Sequence, residues 1–209
     1  MKTFFKAIMA GIAISMGGVI YLTLENHMVG ALLFSIGLFT IYTFGLDLYT
    51  GKVCYIPNKN PKFLLTVLTV LLGNAVGTIG TGYTLRATKL AKLVDHTVEV
   101  VNTKLSDTIF STFIMAIFCG ILMCIAVIGF QTIKDSVGKH IALIFPIMVF
   151  ILSGFEHSIA DMFYFSMANA WDKKALLYII VIALGNLVGG AALPLAIRLL
   201  DDEKLGCQH

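Results

Sequence analysis

Residues 141–165 read IALIFPIMVFILSGFEHSIADMFYF, and this stretch decides the fold because ionisable residues interrupt a segment apolar enough to cross a membrane. Residues 141–155 carry no charge, and residues 162–171 carry none after Asp161. An ionisable side chain at bilayer depth is unfavourable by roughly 3 kcal/mol or more, so it marks a functional site by default. The rest of the chain is therefore expected to be the scaffold that makes Glu156 and His157 tolerable.

The composition is typical of an integral membrane protein. Of the 209 residues, 58% are hydrophobic and 13% are charged, whereas soluble domains carry about 25% charged residues. About 20 apolar residues span a bilayer. The charge-free runs that reach or approach this length are 7–24, 27–46, 63–85, 108–133, 141–155 and 175–197. We predict an all-α integral membrane protein with six transmembrane helices in a single domain, residues 1–209.

The basic residues predict an orientation, although their asymmetry is small. With an even number of spans, both termini lie on one side of the membrane. The basic residues on that side are Lys2, Lys6, Lys59, Lys62, Lys134, Lys139, Arg198 and Lys204, and those on the other are Arg86, Lys89, Lys92, Lys104, Lys173 and Lys174. Cytoplasmic loops are enriched in Lys and Arg. We therefore predict a multi-pass protein of the cell membrane with both termini cytoplasmic.

Two motifs recur in the same order in the two halves of the chain. Gly45-Leu46-Asp47 precedes GNAVG at 73–77, and Gly154-Phe155-Glu156 precedes GNLVG at 185–189. The halves, roughly 1–85 and 106–200, contain three predicted spans each, so the second half enters the membrane upside down relative to the first. Such a 3+3 inverted repeat places its working site near the bilayer midplane, at broken helices.

Both halves predict a broken helix at the matching place, near 47–56 and 153–161. In the first half, Asp47, Gly51, Lys52 and the prolines at 57 and 61 end a regular helix, and in the second half the span stops at SGFEHSIADMF, 153–163. Backbone freed at membrane depth must be buried in protein or line a water-filled path. Asn74 and Asn186, which lie in apolar spans and need hydrogen-bond partners, are expected to support the two breaks. Glu156 is expected to brace the second break, and Lys52 to reach backbone carbonyls in the first.

The chain resembles the formate/nitrite transporter family, which includes hydrosulfide channels. The resemblance covers nearly the whole chain and rests on GLDLYTGKV at 45–53, KNPKFLLTVLTVLLGNAVG at 59–77, SGFEHSIADMF at 153–163 and GNLVGG at 185–190. It implies an aquaporin-like protomer, a homopentamer and one pore in each protomer for small monovalent anions such as formate, nitrite and hydrosulfide. The short termini and loops look most like the hydrosulfide branch.

The resemblance also implies the pore residues. The central histidine of the family falls on His157, and the residues of the first break fall on Leu48, Tyr49 and Thr50, with Thr50 facing His157. Two narrow apolar slits and a lysine before the fourth span complete the set. They fall on Phe34 with Phe150 toward the outside, on Leu38 with Leu48 toward the inside, and on Lys104. Formate-type members carry an asparagine where this chain has Gly120, which weakens the case for formate and implies more room in the pore.

The residue types fit anion passage on chemical grounds. An anion crossing hydrocarbon needs positive potential that does not trap it. Lys104 can attract an anion to the mouth, and His157 and Thr50 can donate hydrogen bonds at the centre. His157 can change its charge near physiological pH, so we predict that its protonation is coupled to occupancy by the ion. The apolar slits are expected to exclude large solutes and to gate by dewetting.

Two other classes of function remain open from the residues alone. One is a pore for neutral small molecules such as water or a protonated weak acid. The other is a membrane enzyme that uses His and Cys, which is disfavoured because no metal-ligand cluster or nucleophile triad is recognisable. The cysteines, Cys54, Cys119, Cys124 and Cys207, have neither metal-site nor disulfide spacing and are interpreted as packing residues. We expect no cofactor, no metal and no nucleic-acid partner; the expected partners are small anions, the lipid bilayer and copies of the same chain.

Overall fold

The structure, a computed structural model, describes residues 1–206, with side chains described as far as Leu200. Within these residues the chain forms helices and turns and no strand. The α-helices are α1 Lys2–Thr23, α2 His27–Phe34, α3 Ile36–Phe44, α4 Tyr49–Lys52, α5 Phe63–Arg86, α6 Val94–Ser106, α7 Ile109–Thr132, α8 Ser136–Leu152, α9 Ser158–Ala168 and α10 Lys173–Gly206, and two 3₁₀ helices cover Val53–Asn58 and Lys89–Leu93. Cys207 and the side chain of Lys204 lie outside the described part.

Five helical segments in the described part of the chain are long and apolar enough to cross a membrane. They are Lys2–Thr23, His27–Phe44, Phe63–Arg86, Ile109–Thr132 and Lys173–Leu200, and Ser136–Leu152 is a shorter apolar helix. The segment His27–Phe44 contains an interruption at Ser35 that the charge-free run did not predict. The Ser35 hydroxyl donates to the carbonyl of Leu32, and such a local side-chain bond competes with the helical ladder and bends it.

The two predicted breaks are present but shorter than predicted. The first non-helical stretch is 45–48 rather than 47–56, because α4 and a 3₁₀ helix take up the chain from Tyr49. The second is 153–157 rather than 153–161, because His157 caps a new helix that begins at Ser158. Gly45 ends α3 in the left-handed region, at φ 59°, where glycine has no steric penalty.

In each half of the chain, the first and the last long helix pack against each other at very short range. The α1–α5 and α7–α10 pairs make the most extensive helix contacts in the described chain. A methyl group built on Gly77 of α5 would lie 2.2 Å from the carbonyl oxygen of Ile8, and one built on Gly189 of α10 would lie 2.0 Å from that of Ile117. Small residues therefore let the backbones touch, as is typical of helix pairs in membranes.

Helix α6 lies outside the spans and covers one end of the bundle. It packs on α9, with Thr97 and Val101 buried and its polar side exposed. This placement carries Lys104, in its last turn, toward the second break. The outward faces of the spans are apolar, with large exposed side chains such as Leu65, Leu68, Phe118, Phe145 and Leu184, as expected for surfaces that meet lipid or another protomer.

Candidate functional site

The first break is held by one side chain of α5. The Asn74 amide nitrogen donates to the carbonyl of Asp47 at 2.9 Å and to that of Ala7 at 2.7 Å. Its amide oxygen accepts the backbone N–H of Tyr49 at 2.8 Å. Asn74 is fully buried, so these bonds satisfy both the side chain and the backbone groups that the interrupted helix leaves without partners.

The second break is held in the same manner by a side chain of α10. The Asn186 amide nitrogen donates to the carbonyls of Glu156 at 2.8 Å and Ala116 at 2.9 Å, and its oxygen accepts the N–H of Ser158 at 3.0 Å. Each asparagine thus bonds a carbonyl inside its break, the N–H of the first residue after the break and the carbonyl of a neighbouring helix. The breaks are fixed pieces of backbone, which is the condition for holding side chains at defined positions.

His157 joins the two breaks. Its Nε2 lies 3.0 Å from Oγ1 of Thr50, the second residue of α4. Its Nδ1 accepts the N–H of Ala160 at 3.1 Å and caps α9. Since Nδ1 is an acceptor in this arrangement, the neutral ring carries its hydrogen on Nε2 and donates to Thr50, a tautomer assigned from the hydrogen bonds. A second proton would require the bond to Ala160 to break.

Two phenylalanines cover His157 on one side. The rings of Phe34 and Phe150 meet edge to face with centroids 6.0 Å apart, and the Phe150 ring stacks on the imidazole at 5.4 Å. Both phenylalanines are buried. The interruption at Ser35 directly follows Phe34, and α8 ends two residues after Phe150. The structure therefore brings together the pair that the sequence predicted as an apolar slit, next to the predicted central histidine.

Two cavities approach this centre from opposite ends of the bundle. The large cavity has a volume of about 620 Å³, and its lining includes Phe34, Phe150, His157, Lys104 and Asp161. The small cavity, of about 60 Å³, lies on the side of the N-terminus, and its lining includes Leu38, Leu48 and Lys52. The small cavity can be assigned to this end because the ammonium group of Lys6, near the N-terminus, donates to the carbonyl of Gly45 at the end of α3. Thr50 lies in neither lining and is fully buried.

Lys104 is paired with two carboxylates at the edge of the large cavity. Its Nζ lies 2.5 Å from Oε2 of Glu156 and 3.0 Å from Oδ1 of Asp161, and its side chain is 15% exposed. Burial lowers the pKa of Lys104, but the carboxylates of Asp161 and Glu156 raise it more, so that its pKa lies above the ordinary value of 10.5. The lysine is therefore a charged member of a cluster with two carboxylates, which the sequence did not predict.

Glu156 and Asp161 differ in how their polar atoms are bonded. The Glu156 carboxylate binds Lys104 while its backbone carbonyl binds Asn186, so both ends of the residue support the second break. Asp161 was not among the predicted site residues. Its Oδ2 is buried and has no hydrogen-bond partner in the described part of the chain. The available signal was its place one helical turn after His157 in an apolar segment.

Lys52 binds a carboxylate rather than the backbone carbonyls that we predicted. Its Nζ lies 2.7 Å from Oδ1 of Asp47. The reason is local geometry: α4 begins immediately after the non-helical residues 45–48, so one helical turn brings the lysine back over the aspartate. The pair lies at the small cavity, which Lys52 lines.

Tyr49 and Gly120 have surroundings that the family resemblance did not imply. The Tyr49 phenol donates to the carbonyl of Ala183 at 2.8 Å, so its ring packs toward α10 and not into either cavity. A methyl group on Gly120 would lie 2.4 Å from the carbonyl oxygen of Asn186. Gly120 therefore allows α7 to approach α10, and its small size does not widen a path.

The potential metal ligands and the cysteines are spread over the described residues. Among residues 1–200 no group of three or more His, Cys, Asp and Glu side chains is arranged to hold a metal ion. Cys54, Cys119 and Cys124 are buried and not disulfide-bonded; Cys207 is not described. Cys54 and Cys124 belong to one apolar cluster with Val127, as packing residues do.

Comparison with known protein families and sequences gives consistent matches. The model of the family described as formate/nitrite transporter matches residues 1–200. The formate channel FocA of Haemophilus influenzae is 27% identical, with 90% of this chain and 82% of that protein covered. The formate-nitrite transporter of Plasmodium falciparum is 28% identical, with 89% of this chain and 73% of that protein covered.

Solved structures show the same fold. A structure described as a pentameric formate channel with formate bound matches with a TM-score of 0.78 at 24% identity, covering 95% of this chain and 96% of that one. A second, described as an FNT family ion channel, matches with a TM-score of 0.82 at 21% identity, covering 96% and 90%. At these identities the structural likeness speaks for the fold alone.

Proposed function

The chain belongs to the formate/nitrite transporter family and is a membrane transport protein for small anions rather than an enzyme, and from this premise we propose that each protomer contains its own anion conduit. The proposed path runs from the large cavity between Phe34 and Phe150, past His157 and Thr50, between Leu38 and Leu48, and into the small cavity. The observation that carries the proposal is the 3.0 Å contact of Thr50 with His157, which joins the two broken helices between two cavities.

In this conduit the apolar and polar residues have separate tasks. Phe34 and Phe150 on one side, and Leu38 and Leu48 on the other, form constrictions that exclude large hydrated solutes and dewet when closed. His157 and Thr50 supply hydrogen bonds where the ion has lost most of its water. The starts of α4 and α9 point into the same region, and helix N-termini carry partial positive charge. Lys104, Glu156 and Asp161 set the potential of the large cavity.

We propose hydrosulfide as the main permeant anion, with formate and nitrite as further substrates. Hydrosulfide has a single heavy atom, whereas formate and nitrite present two oxygens that each need donors. The polar side chains that meet at the proposed centre are His157 and Thr50, and Phe34 and Phe150 cover His157 on one side. A site with few donors favours an anion that needs few, because an unpaired polar group in an apolar site is unfavourable.

The proposed architecture is an aquaporin-like domain over residues 1–209, made of six spans in a 3+3 inverted repeat of residues 1–85 and 106–200. The equivalent hydrogen-bond sets of Asn74 and Asn186 support this symmetry, because each links a Gly-Asn-x-x-Gly helix to the break of its own half. Helix α1 packs on α5 in one half, and α7 packs on α10 in the other.

We propose that five copies form the assembly and that both termini face the cytoplasm. The similar solved structure described as pentameric supports the number, and the apolar outer faces of the spans offer surfaces for packing. A mass measurement in mild detergent tests the assembly, and a monomer alone would contradict it. Labelling of a cysteine placed in the exposed loop at Asn60, from one side of intact cells, tests the orientation.

Current measurements test the central proposal. The purified protein is placed in planar bilayers with hydrosulfide, formate or nitrite at different concentrations on the two sides. An anion conduit gives a reversal potential that moves toward the Nernst value of the anion, with the largest permeability for hydrosulfide. A permeability order led by formate would remove hydrosulfide as main substrate, and no anion current above protein-free bilayers would contradict the conduit.

A pore for neutral species is the second candidate, and one observation favours it. Lys104 faces two carboxylates, so the cluster at the large cavity has a formal charge of −1 when all three groups are ionised, which repels anions. A neutral weak acid is not affected by this charge. Swelling of liposomes that rises with the protonated fraction of formic acid, in the absence of current, would select this function.

A further inference from the structure

The ion pair of Lys52 and Asp47 is partly exposed and lies at the small cavity. Its ammonium and carboxylate groups are 2.7 Å apart, and the Lys52 side chain is 30% exposed. Lys52 lines the small cavity together with Leu38 and Leu48, so its charge lies where the proposed path opens beyond the second slit. The backbone of the first break is held separately by Asn74, which bonds the carbonyl of Asp47 and the N–H of Tyr49.

The two lysines near the conduit differ in how firmly they are held. Lys104 is bound by two carboxylates that are 8% and 1% exposed, and its own side chain is 15% exposed. Lys52 is bound by one carboxylate, Asp47, which is 13% exposed. A lysine with a single partner and access to a cavity can exchange that partner for a diffusing anion, whereas one enclosed by two carboxylates cannot do so easily.

We propose that Lys52 is an anion-docking residue at the small-cavity end of the conduit, and that Asp47 is its exchangeable internal competitor. This inference rests on the proposed conduit. An anion entering the small cavity takes over the ammonium group from the Asp47 carboxylate and waits beside the slit of Leu38 and Leu48. When the anion moves on, Asp47 recovers the lysine, so the ion is attracted without being trapped.

The backbone makes this exchange possible without disturbing the break. The carbonyl of Asp47 is held by Asn74 at 2.9 Å, so the main chain stays in place when the carboxylate is displaced. Lys52 is anchored by its own N–H, which donates to the carbonyl of Leu48 at 2.9 Å. Only the two side-chain ends have to move.

If Lys52 docks anions, two substitutions at the ion pair should change the anion current in opposite directions. If the pair only stabilises the fold, they should change it in the same direction. Lys52→Met removes the attracting charge and leaves Asp47 to repel anions. Asp47→Asn removes the competitor and leaves Lys52 free. If the pair merely stabilises the fold, both variants break it and both lower activity. If Lys52 docks anions, Lys52→Met lowers and Asp47→Asn raises the current carried by anions that enter from the small-cavity side.

Formate current in planar bilayers is the measurement, with the anion supplied from each side in turn. Charged entrances change association by about ten-fold or more at low salt, so we expect Lys52→Met to reduce the current from one side by about ten-fold and Lys52→Arg to retain it. The difference should shrink in 1 M salt of an impermeant anion, where the Debye length falls to about 3 Å. Lys59→Met, which removes an exposed lysine a few residues along the chain, is the matched control and should leave the current unchanged.

Chemical modification of a cysteine at position 52 changes the charge there after the protein has folded, so the result does not depend on how a substitution affects folding. Lys52→Cys in a Cys207→Ser background is first recorded unmodified and then treated with a positively or a negatively charged thiol reagent. Restoration by the positive reagent and further loss with the negative one support docking, and equal responses to both overturn it. Absence of formate current in the wild type overturns the conduit and this inference together, whereas wild-type current that Lys52→Met and Lys59→Met leave equal overturns the docking residue alone.

Discussion

Oγ1 of Thr50 lies 3.0 Å from Nε2 of His157, although 107 positions separate the two residues in the sequence. Each residue stands at the start of a helix that follows a non-helical stretch, α4 for Thr50 and α9 for His157. The contact therefore depends on both breaks being fixed at once. Asn74 and Asn186 do this with equivalent sets of hydrogen bonds, which explains how a polar contact is held inside an apolar bundle.

The Phe34–Phe150 pair predicts a change in permeation. Phe34→Ala or Phe150→Ala should widen the constriction next to His157, because the edge-to-face contact of the rings closes it. We expect higher anion flux or weaker discrimination against larger anions such as acetate, measured in liposomes. Phe145→Ala, an exposed position on the same helix as Phe150, is the control. Unchanged flux and selectivity in both slit variants would show that these residues do not form the constriction.

His157→Asn tests the proton role of the central residue. Asparagine is a good N-cap and keeps a hydrogen-bond donor, but it does not titrate. The variant should fold and still pass small anions, while the dependence of its flux on pH between about 5 and 8 becomes flatter than that of the wild type. His157→Leu, which loses both the cap and the donor, should lose stability as well. A wild-type pH profile in His157→Asn would contradict a proton role for this side chain.

Asn74→Ala and Asn186→Ala should destabilise the protein more than they alter its outer surface. Each removes three hydrogen bonds and leaves buried backbone groups without partners, and each such group is unfavourable by about 1–3 kcal/mol. Thermal unfolding in detergent should shift downward by several degrees for both variants. Asn60→Ala, at an exposed loop position, should unfold like the wild type. A wild-type midpoint for either buried variant would rule out the bracing role of that asparagine.

Lys104→Met should be among the more damaging single substitutions in the chain. It leaves the carboxylates of Glu156 and Asp161 buried without a cation, and loss of one partner from a buried ion pair is unfavourable by about 3–5 kcal/mol. Unfolding in detergent measures the loss. The double variant Lys104→Met/Asp161→Asn should recover part of it, because it removes one of the two uncompensated charges. Lys92→Met, at an exposed position of the 3₁₀ helix that precedes α6, is the control. A Lys104→Met variant as stable as this control would contradict the ion-pair assignment.

The ion pairs of Lys104 with Glu156 and Asp161 should contribute a constant amount to the free energy of unfolding over a range of pH. The pKa of Lys104 is raised above its ordinary value of 10.5 in the folded protein. A raised lysine pKa contributes stability that is fully present below the unfolded-state value and is lost as pH rises through the folded-state value. The coupling between Lys104 and Asp161, measured by a double-mutant cycle, should therefore not weaken between about pH 7 and 9. A coupling that disappears across this range would mean that Lys104 loses its proton there.

Gly77 and Gly80, both on α5, allow a controlled test of the close packing of α1 and α5. A methyl group on Gly77 would lie 2.2 Å from the carbonyl oxygen of Ile8, whereas one on Gly80 would meet no atom within 4 Å. Gly77→Ala should force α1 and α5 apart and lower the unfolding temperature. Gly80→Ala should be neutral or stabilising by up to about 1 kcal/mol, because alanine favours the helix. Equal midpoints for the two variants would show that the close approach of α1 and α5 is not required.

The sequence by itself determined the class of the protein and the approximate positions of its breaks. The length of an apolar run and the presence of ionisable residues inside it are local properties, and a bilayer acts on them directly. For the same reason Asn74 and Asn186 were recognisable as residues that need partners. The motifs around Gly45, Gly73, Gly154 and Gly185 identified the family, which the comparison of residues 1–200 confirmed.

Only the tertiary structure decided which charges meet. The sequence presents Lys104 as a lysine before the fourth span, but the packing of α6 on α9 brings it onto Glu156 and Asp161. It presents Tyr49 as a neighbour of Thr50, but α4 turns the phenol toward α10. A side chain's charge and size are local, whereas its direction depends on where each helix restarts after a break and on which helix packs beside it. The electrostatics of the two cavities therefore follow from helix packing that no single segment of the sequence specifies.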